Sequence, residues 1–138
     1  MTVPPRTHRY PLRVYFEDTD AGGVAYHANY LRWAERARTE SLRDIGLPHS
    51  LLMERHASLL VVRRLDVAYR RPARLDDLVT VETRVLKAGA ASLEVGQDVV
   101  GEDGGLLARL TVGLVCVALA DLRPTPLPEP WRSVLRPG

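Results

Sequence analysis

Two different spacings of apolar residues divide the first third of the chain. Apolar side chains recur at every second position over residues 9–16, which predicts a β-strand with one face toward the core. The residues on that face are Tyr10, Leu12, Val14 and Phe16. Between residues 28 and 45 the spacing lengthens to three and four, which predicts an amphipathic helix. Its core-facing positions are Tyr30, Ala34, Ala37, Ser41 or Leu42, and Ile45. Gly46 is suited to end this helix, and Pro48 prevents its continuation.

Most of the remaining chain has the pattern of β-strands. Residues 49–56 fit either a short second helix or an irregular connection. Four predicted strands then follow, at residues 58–69, 79–85, 92–100 and 106–119. The last of them is apolar on both faces, which favours an interior strand, and the glycines and acids of residues 101–105 predict a hairpin before it. The order of elements predicts an α+β fold, in which a curved antiparallel sheet of about five strands wraps one long central helix.

Length and composition limit the class of protein. The 138 residues suit one domain over 1–138, with a core at about 10–118 and a proline-rich C-terminal tail on the surface at 119–138. The net charge is +2 and the arginines are scattered, a distribution that does not favour a nucleic-acid partner. The one cysteine, Cys116, rules out an intrachain disulfide and has the setting of a small buried hydrophobe. We expect neither a leader nor a membrane span, and therefore a cytoplasmic protein.

The segment from Glu17 to Tyr30 concentrates the reactive side chains. It holds three acids, two glycines and a histidine between the predicted first strand and the helix: Glu17, Asp18, Asp20, Gly22, Gly23 and His27. Loops on a rigid scaffold commonly carry catalytic groups. Simpler roles remain open, because aspartates can bond their own backbone in a turn and Asn29 can cap the helix. A calcium loop is disfavoured, because Gly22 and Asn29 stand where such a loop needs an oxygen ligand and a glutamate.

The position of His27 suggests how this segment can act on a carbonyl group. The residue stands at the start of the predicted helix, where unpaired N–H groups and partial positive charge can stabilise a developing oxyanion. A carboxylate of the preceding loop can attack the polarised carbon or activate a water that does so. The chain has no Gly-x-Ser-x-Gly elbow, no His-Glu-x-x-His pair and no glycine-rich nucleotide loop. Among enzymatic interpretations, carboxylate chemistry on a carbonyl remains.

At these residues the chain resembles the hotdog-fold acyl-CoA thioesterases, specifically the YbgC-like, 4-hydroxybenzoyl-CoA thioesterase group. Three segments between about residues 10 and 118 carry the resemblance: Val14–Tyr30, Glu35–Glu40 and Tyr69–Asp77. The resemblance implies a hotdog fold, assembly into a homodimer or homotetramer, and a site between subunits with coenzyme A in a groove of the dimer. It makes Asp20 the catalytic carboxylate and the His27 amide the group that polarises the thioester carbonyl. The His27 ring would orient water, substrate or the carboxylate.

The resemblance also implies an acyl-CoA substrate, with coenzyme A as part of that substrate and no separate cofactor or metal. The candidate substrate-binding residues are Gly22, Gly23, Tyr26, Arg63, Lys87 and Ser92. Related enzymes often place basic residues at the turn between the third and fourth strands, where they can meet the phosphates of coenzyme A. Here that turn, residues 87–92, carries Lys87 as its one charge.

The primary hypothesis is hydrolysis of an acyl-CoA thioester to a free carboxylic acid and coenzyme A. A second hypothesis is a non-catalytic module that binds acyl-CoA or an acyl carrier protein, although such a module has no need of both Asp20 and His27. A hotdog hydratase or dehydratase ranks last, because its usual acid-and-histidine motif is not visible in the chain. Acyl-chain length, and the choice between aliphatic and aromatic acyl groups, stay open at this stage.

Overall fold

The computed structural model describes residues 7–137 and places all of its strands in one antiparallel sheet. The elements in chain order are β1 (His8–Arg13), α1 (His27–Asp44), α2 (His49–His56), β2 (Ser58–Tyr69), β3 (Leu78–Ala88), β4 (Ser92–Gly101), β5 (Leu106–Ala118) and α3 (Trp131–Val134). The strand order in the sheet is β1-β3-β4-β5-β2, so β1 and β2 are its two edges. The predicted α+β fold is confirmed. The ends of the predicted 1–138 domain, residues 1–6 and 138, lie outside the described residues.

The first strand is shorter than its apolar pattern predicts. β1 ends at Arg13, and the following residue, Val14, is fully buried and donates its N–H to the carbonyl of Asp77 (2.8 Å). Phe16, expected on the core face, instead begins a 3-10 turn and is 81% exposed. The alternation of apolar and polar residues therefore continues one residue beyond the strand, because Val14 is buried although its backbone no longer belongs to the sheet.

Helix α1 ends as predicted, with a residue that only glycine suits well. Gly46 has a φ of +77° and donates to the carbonyl of Arg43 (2.9 Å), while Leu47 N–H donates to the carbonyl of Leu42 (2.9 Å). This pair of bonds is a Schellman motif, which requires a left-handed residue at that position. The predicted core positions Tyr30, Ala34, Ala37 and Leu42 are buried. Asn29 and Trp33 are buried too, although they were not among the predicted core positions.

A fully buried glutamine fixes α1 to the sheet. The Nε2 group of Gln97, on β4, donates to the carbonyl of Ala34 (2.8 Å) and to Oγ1 of Thr83 (3.0 Å). Its Oε1 accepts a hydrogen bond from Nη1 of Arg38 (2.9 Å). Because the side chain at Ala34 is only a methyl group, the amide can reach the backbone of the helix. Every polar atom of this buried side chain therefore has a partner, as burial demands.

The C-terminal segment, predicted to lie on the surface, is mostly exposed, but two of its side chains are anchored in the core, which its prolines did not indicate. Leu127 and Trp131 are buried, and Nε1 of Trp131 donates to the carbonyl of Leu47 (3.1 Å). The Leu127 N–H donates to the carbonyl of Ala90 (2.9 Å). Burial of Leu127 and of the ring of Trp131 anchors this segment, since burying a large aromatic ring is strongly favourable. Cys116 is buried as expected, and burial raises the pKa of its thiol.

No helix within residues 7–137 combines the length and the apolar character that a bilayer crossing requires.

Candidate active site

The loop between β1 and α1 folds back on itself and forms a narrow turn. Three backbone contacts close it: Tyr26 N–H to the Asp18 carbonyl (2.8 Å), Asp20 N–H to the Val24 carbonyl (2.9 Å), and an antiparallel bridge between Thr19 and Ala25. Asp20 stands on the first arm of this turn. The second arm runs directly into His27, the first residue of α1. The two predicted catalytic residues therefore belong to one hydrogen-bonded unit.

The connection between β2 and β3 is hydrogen-bonded to that turn. The carbonyl of Ala73 accepts the N–H of Ala25 (2.8 Å), and the carbonyl of Gly23 accepts the N–H of Leu75 (3.1 Å). Helix α1 is tied to the same connection, because the Ala73 N–H donates to the hydroxyl oxygen of Tyr30 (2.8 Å). Two of the segments that carry the family resemblance are thus in direct contact, which explains why they occur together.

One oxygen of the exposed Asp20 carboxylate shapes the turn. Its Oδ1 accepts the N–H of Gly22 (2.8 Å), and a Cβ added at Gly22 would lie 3.3 Å from that oxygen. Gly23 has a φ of +76°, a conformation that glycine adopts without strain. Asp20 therefore does bond the backbone of its own turn, which was one of the roles left open by the sequence. This role is compatible with catalysis, because Oδ2 makes no hydrogen bond within residues 7–137.

Asp18 and Asn29 have structural roles in the same loop. The Asp18 carboxylate accepts the N–H of Tyr15 (2.8 Å) and closes the 3-10 turn. Asn29 is buried, and its Nδ2 donates to the carbonyl of Asp18 (2.8 Å). The interpretation of Asn29 as a helix cap is wrong, because the helix begins at His27 and Tyr26 occupies the cap position. No three His, Cys, Asp or Glu side chains are clustered as metal ligands in the part of the chain that the structure describes.

His27 lies where backbone N–H groups have no acceptor inside the helix. Tyr26 occupies the cap position with extended backbone (φ −62°, ψ 135°), and its side chain makes no capping bond. The N–H of His27 therefore points out of the first turn without an intrahelical partner. The imidazole is exposed and lies against the ring of Tyr26, with the ring centroids 4.4 Å apart. This geometry combines an unpaired N–H, the positive end of the helix dipole and a titratable ring.

Tyr69, at the end of β2, is a site residue that sequence reasoning did not select. Its hydroxyl donates to the carbonyl of His27 (3.0 Å), and its ring meets the imidazole edge-on with centroids 6.3 Å apart. Burial raises the pKa of the Tyr69 hydroxyl, which keeps the group protonated as a donor. The signal was present in the sequence, since Tyr69 opens one of the three family segments. Only the fold shows that it contacts the start of α1.

The remaining predicted substrate-binding residues fall into two groups. Gly22, Gly23 and Tyr26 belong to the turn beside Asp20. Arg63, in contrast, is the exposed residue at the bulge of β2, where the register with β5 shifts. Lys87 and Ser92 flank the β3–β4 turn, about 30 Å along β3 from the end that supports the loop. Nζ of Lys87 lies 3.8 Å from Oε2 of Glu94. A single chain does not bring these three residues to Asp20.

A groove of about 450 Å³ lies between α1 and strands β2 and β5 and is hereafter the α1–β2 groove. Its lining residues are Leu31, Arg32, Glu35, Arg36, Arg38, Val62, Leu65, Leu110 and Val112. Leu31 lies one helical turn after His27, so the groove begins next to the candidate catalytic residues. Its volume falls within the range of small-molecule binding sites.

One long helix on a five-stranded antiparallel sheet, with a carboxylate loop at the helix start, is the arrangement expected of a hotdog-fold thioesterase. The chain belongs to the thioesterase-like superfamily, whose family model matches residues 14–135. It is 43% identical over 121 residues to the acyl-CoA thioester hydrolase YbgC of Escherichia coli O6:H1, covering 88% of this chain and 90% of that protein. It is 42% identical over 120 residues to the acyl-CoA thioesterase YbgC of Haemophilus influenzae, covering 87% and 88%.

A solved structure supports the same assignment. The crystal structure of a probable thioesterase from Bartonella henselae superimposes with a TM-score of 0.83 at 34% sequence identity, covering 88% of this chain and 99% of that one. The family that the sequence resembles is therefore the family to which the chain belongs. The predicted hotdog fold is confirmed as well.

Proposed function

We propose that this protein hydrolyses acyl-CoA thioesters to a carboxylic acid and coenzyme A, with Asp20 as the catalytic carboxylate. The relatives named as acyl-CoA thioester hydrolases support the activity. The observation that carries the residue assignment is the closed turn, in which Asp20 lies on one arm and the unpaired N–H of His27 follows the other. A nucleophile or base and an oxyanion donor are thereby held together on one rigid unit.

The chemistry follows from these two groups. The thioester carbonyl oxygen accepts a hydrogen bond from the His27 N–H, which stabilises the negative charge as it develops. Asp20 attacks the acyl carbon itself, or it takes a proton from a water molecule that attacks. A C–O bond forms, and collapse of the oxyanion then breaks the C–S bond and releases coenzyme A, whose sulfur takes up a proton. On the direct route, water finally hydrolyses the acyl-aspartyl anhydride and restores the carboxylate.

The residues around these groups have supporting roles in this proposal. The His27 ring, exposed beside the reacting carbon, orients water or substrate, and Tyr69 holds both that ring and the His27 carbonyl in place. Gly22, Gly23 and Tyr26 form the entrance through which the thioester approaches. The acyl group extends into the α1–β2 groove, because the groove begins one turn beyond the helix start and has an apolar floor.

We infer that a second copy of the chain closes the site along β2. This edge strand is twelve residues long and leaves Val62, Leu65 and Tyr69 exposed, whereas the opposite edge, β1, is six residues long. A long edge strand with exposed apolar side chains is a ready pairing surface. Because Val62 and Leu65 also line the α1–β2 groove, the second copy would form the outer wall of that groove. We expect light scattering to give a mass of two or four times the 15.4 kDa of one chain. A monomer at micromolar concentration would contradict the dimer.

Such a dimer also gives Arg63, Lys87 and Ser92 a function that a single chain does not. Arg63 lies on the pairing strand, and residues far from Asp20 in one subunit can approach the Asp20 of the other. We propose these three residues as contacts for the phosphates of coenzyme A, in a homodimer or homotetramer that acts in the cytoplasm. Screening by salt would weaken such contacts, so KM for acyl-CoA should rise with ionic strength.

Thiol release from a panel of acyl-CoA esters tests the proposed activity. The panel should contain short, medium, long and aromatic acyl groups, and should include one acyl group carried by an acyl carrier protein. We expect turnover of at least one coenzyme A ester, with stoichiometric release of the acid. Binding of every ester without turnover would instead support a non-catalytic acyl-binding module and would contradict the hydrolase.

A further inference from the structure

Residues on one face of α1 connect His27 with Arg38. At about 100° per residue, His27, Leu31 and Arg38 lie within about 40° of one another around the helix. Arg38 is about three turns, or ~16 Å, beyond His27 along the helix axis. Leu31 and Arg38 both line the α1–β2 groove. An acyl chain that starts at the His27 N–H and follows the groove therefore reaches Arg38.

Within the described residues of one chain, the charge of Arg38 has no acidic partner. The side chain is half-buried, and its one hydrogen bond within residues 7–137 runs from Nη1 to the neutral Oε1 of Gln97 (2.9 Å). No carboxylate oxygen of those residues lies within 4.0 Å of the guanidinium. Burial lowers the pKa of Arg38, and the charge of Glu35 opposes that shift. A partly desolvated cation with unused N–H donors gains from an anionic partner.

The other groove residues favour an anion with an apolar stem. The floor and one wall are apolar, formed by Leu31, Val62, Leu65, Leu110 and Val112. The charged lining consists of three arginines and one glutamate, Glu35, whose Oε1 accepts a hydrogen bond from the Thr39 hydroxyl (3.2 Å). Methylene groups suit the apolar floor, and a carboxylate suits the planar fork of a guanidinium, which can bind both of its oxygens.

We propose that Arg38 binds a carboxylate at the far end of the acyl group, so that the preferred substrates are coenzyme A thioesters of dicarboxylic acids. This assignment rests on the proposed function and names its substrate class. The thioester end occupies the His27 N–H and meets Asp20, the methylene chain lies along the groove, and the distal carboxylate pairs with Arg38. The reaction is unchanged, and its products are a free dicarboxylic acid and coenzyme A.

Matched pairs of substrates test the proposal on the unmodified protein. Each pair has the same number of acyl carbons: succinyl- with butyryl-CoA, adipyl- with hexanoyl-CoA, suberyl- with octanoyl-CoA, and sebacyl- with decanoyl-CoA. We expect kcat/KM to favour the dicarboxylic member by about tenfold or more in the longer pairs, as for a charge-assisted hydrogen bond. The succinyl pair should show no such preference, because its carboxylate is too close to the thioester to reach Arg38.

The length dependence separates the possible failures. The same preference for the dicarboxylic member in every pair, including the succinyl pair, would indicate a general attraction for negative charge. Faster turnover of the alkyl members would indicate a purely apolar groove. Either result overturns the role of Arg38 but leaves the hydrolase intact. Absence of turnover with all eight esters would overturn this assignment, and the hydrolase itself would be overturned only if the aromatic ester of the panel were inert as well.

Variants of α1 then locate the effect. Arg38→Met should reduce the preference in the long pairs to about one, and Arg38→Lys, which keeps the charge but not the fork, should leave an intermediate preference. Arg43→Gln is the matched control, because Arg43 pairs with Glu40 on the same helix and does not line the groove. It should keep both the activity and the preference. An unchanged preference in a folded Arg38→Met protein would contradict the assignment.

Discussion

Asp20→Asn is expected to lower kcat for acyl-CoA hydrolysis by about 10²–10⁴-fold, the range associated with loss of a positioned general base. The fold should persist, because an asparagine at this position still offers an oxygen to the Gly22 N–H and tolerates the turn well. What disappears is the negative charge and basicity of the second oxygen. Steady-state thiol release, together with the thermal midpoint of each protein, measures the two effects separately.

The neighbouring carboxylate supplies the control for that variant. Asp18→Asn also converts an acid of the same loop into its amide, and it keeps an acceptor for the Tyr15 N–H. Since Asp18 closes the 3-10 turn and takes no part in the proposed chemistry, kcat should stay within a few-fold of the unmodified value. If Asp20→Asn were fully active, or if both variants lost activity equally, Asp20 would not be the catalytic carboxylate.

A pair of substitutions at His27 is expected to show the second large effect, because it separates the ring from the backbone N–H. His27→Ala removes the imidazole and keeps the N–H, whereas His27→Pro removes both. We expect kcat of the proline variant to fall about 10²–10³-fold below that of the alanine variant, the loss associated with removal of one oxyanion donor. The comparison uses acyl-CoA hydrolysis under saturating substrate.

Proline is well tolerated at this position, which makes the comparison meaningful. His27 is the first residue of α1, where proline is favoured because the N–H has no partner inside the helix. The preceding residue, Tyr26, already has the extended backbone that proline imposes on its neighbour (ψ 135°). Circular dichroism should therefore be the same for both variants. Equal kcat values for the two folded proteins would show that the His27 N–H does not stabilise the oxyanion.

The candidate site was predictable from the sequence to the extent that it is local. The loop acids, the glycines and the start of the helix lie within a few residues of one another, so the sequence shows them as one candidate site, and the family resemblance singled out Asp20 among the acids. Period-two and period-three-to-four patterns likewise located the long helix and the strands. Both the family resemblance and the acyl-CoA thioesterase assignment that followed from it are confirmed by the comparisons.

The parts that sequence reasoning missed depend on contacts between distant segments. Tyr69 meets His27 across 42 residues of sequence, and Trp131 meets Leu47 across 84. Neither contact leaves a periodic signal in the chain. The premature end of β1 has a similar cause, since the burial of Val14 after the strand mimics one more strand residue. The roles of Arg63, Lys87 and Ser92 stay predictions, because they require a second subunit.

The buried amide of Gln97 also bears on how the substrate range of this enzyme can change. By bonding to the carbonyl of Ala34 it fixes the helix along its own axis, since a shift of one residue would leave the amide without that acceptor. A groove position on the helix such as Leu31 can therefore be exchanged without moving the helix start relative to Asp20. A substitution in the groove can change which acyl groups bind without displacing the residues that react. Enzymes with new chain-length preferences should therefore be obtainable by single substitutions in the groove.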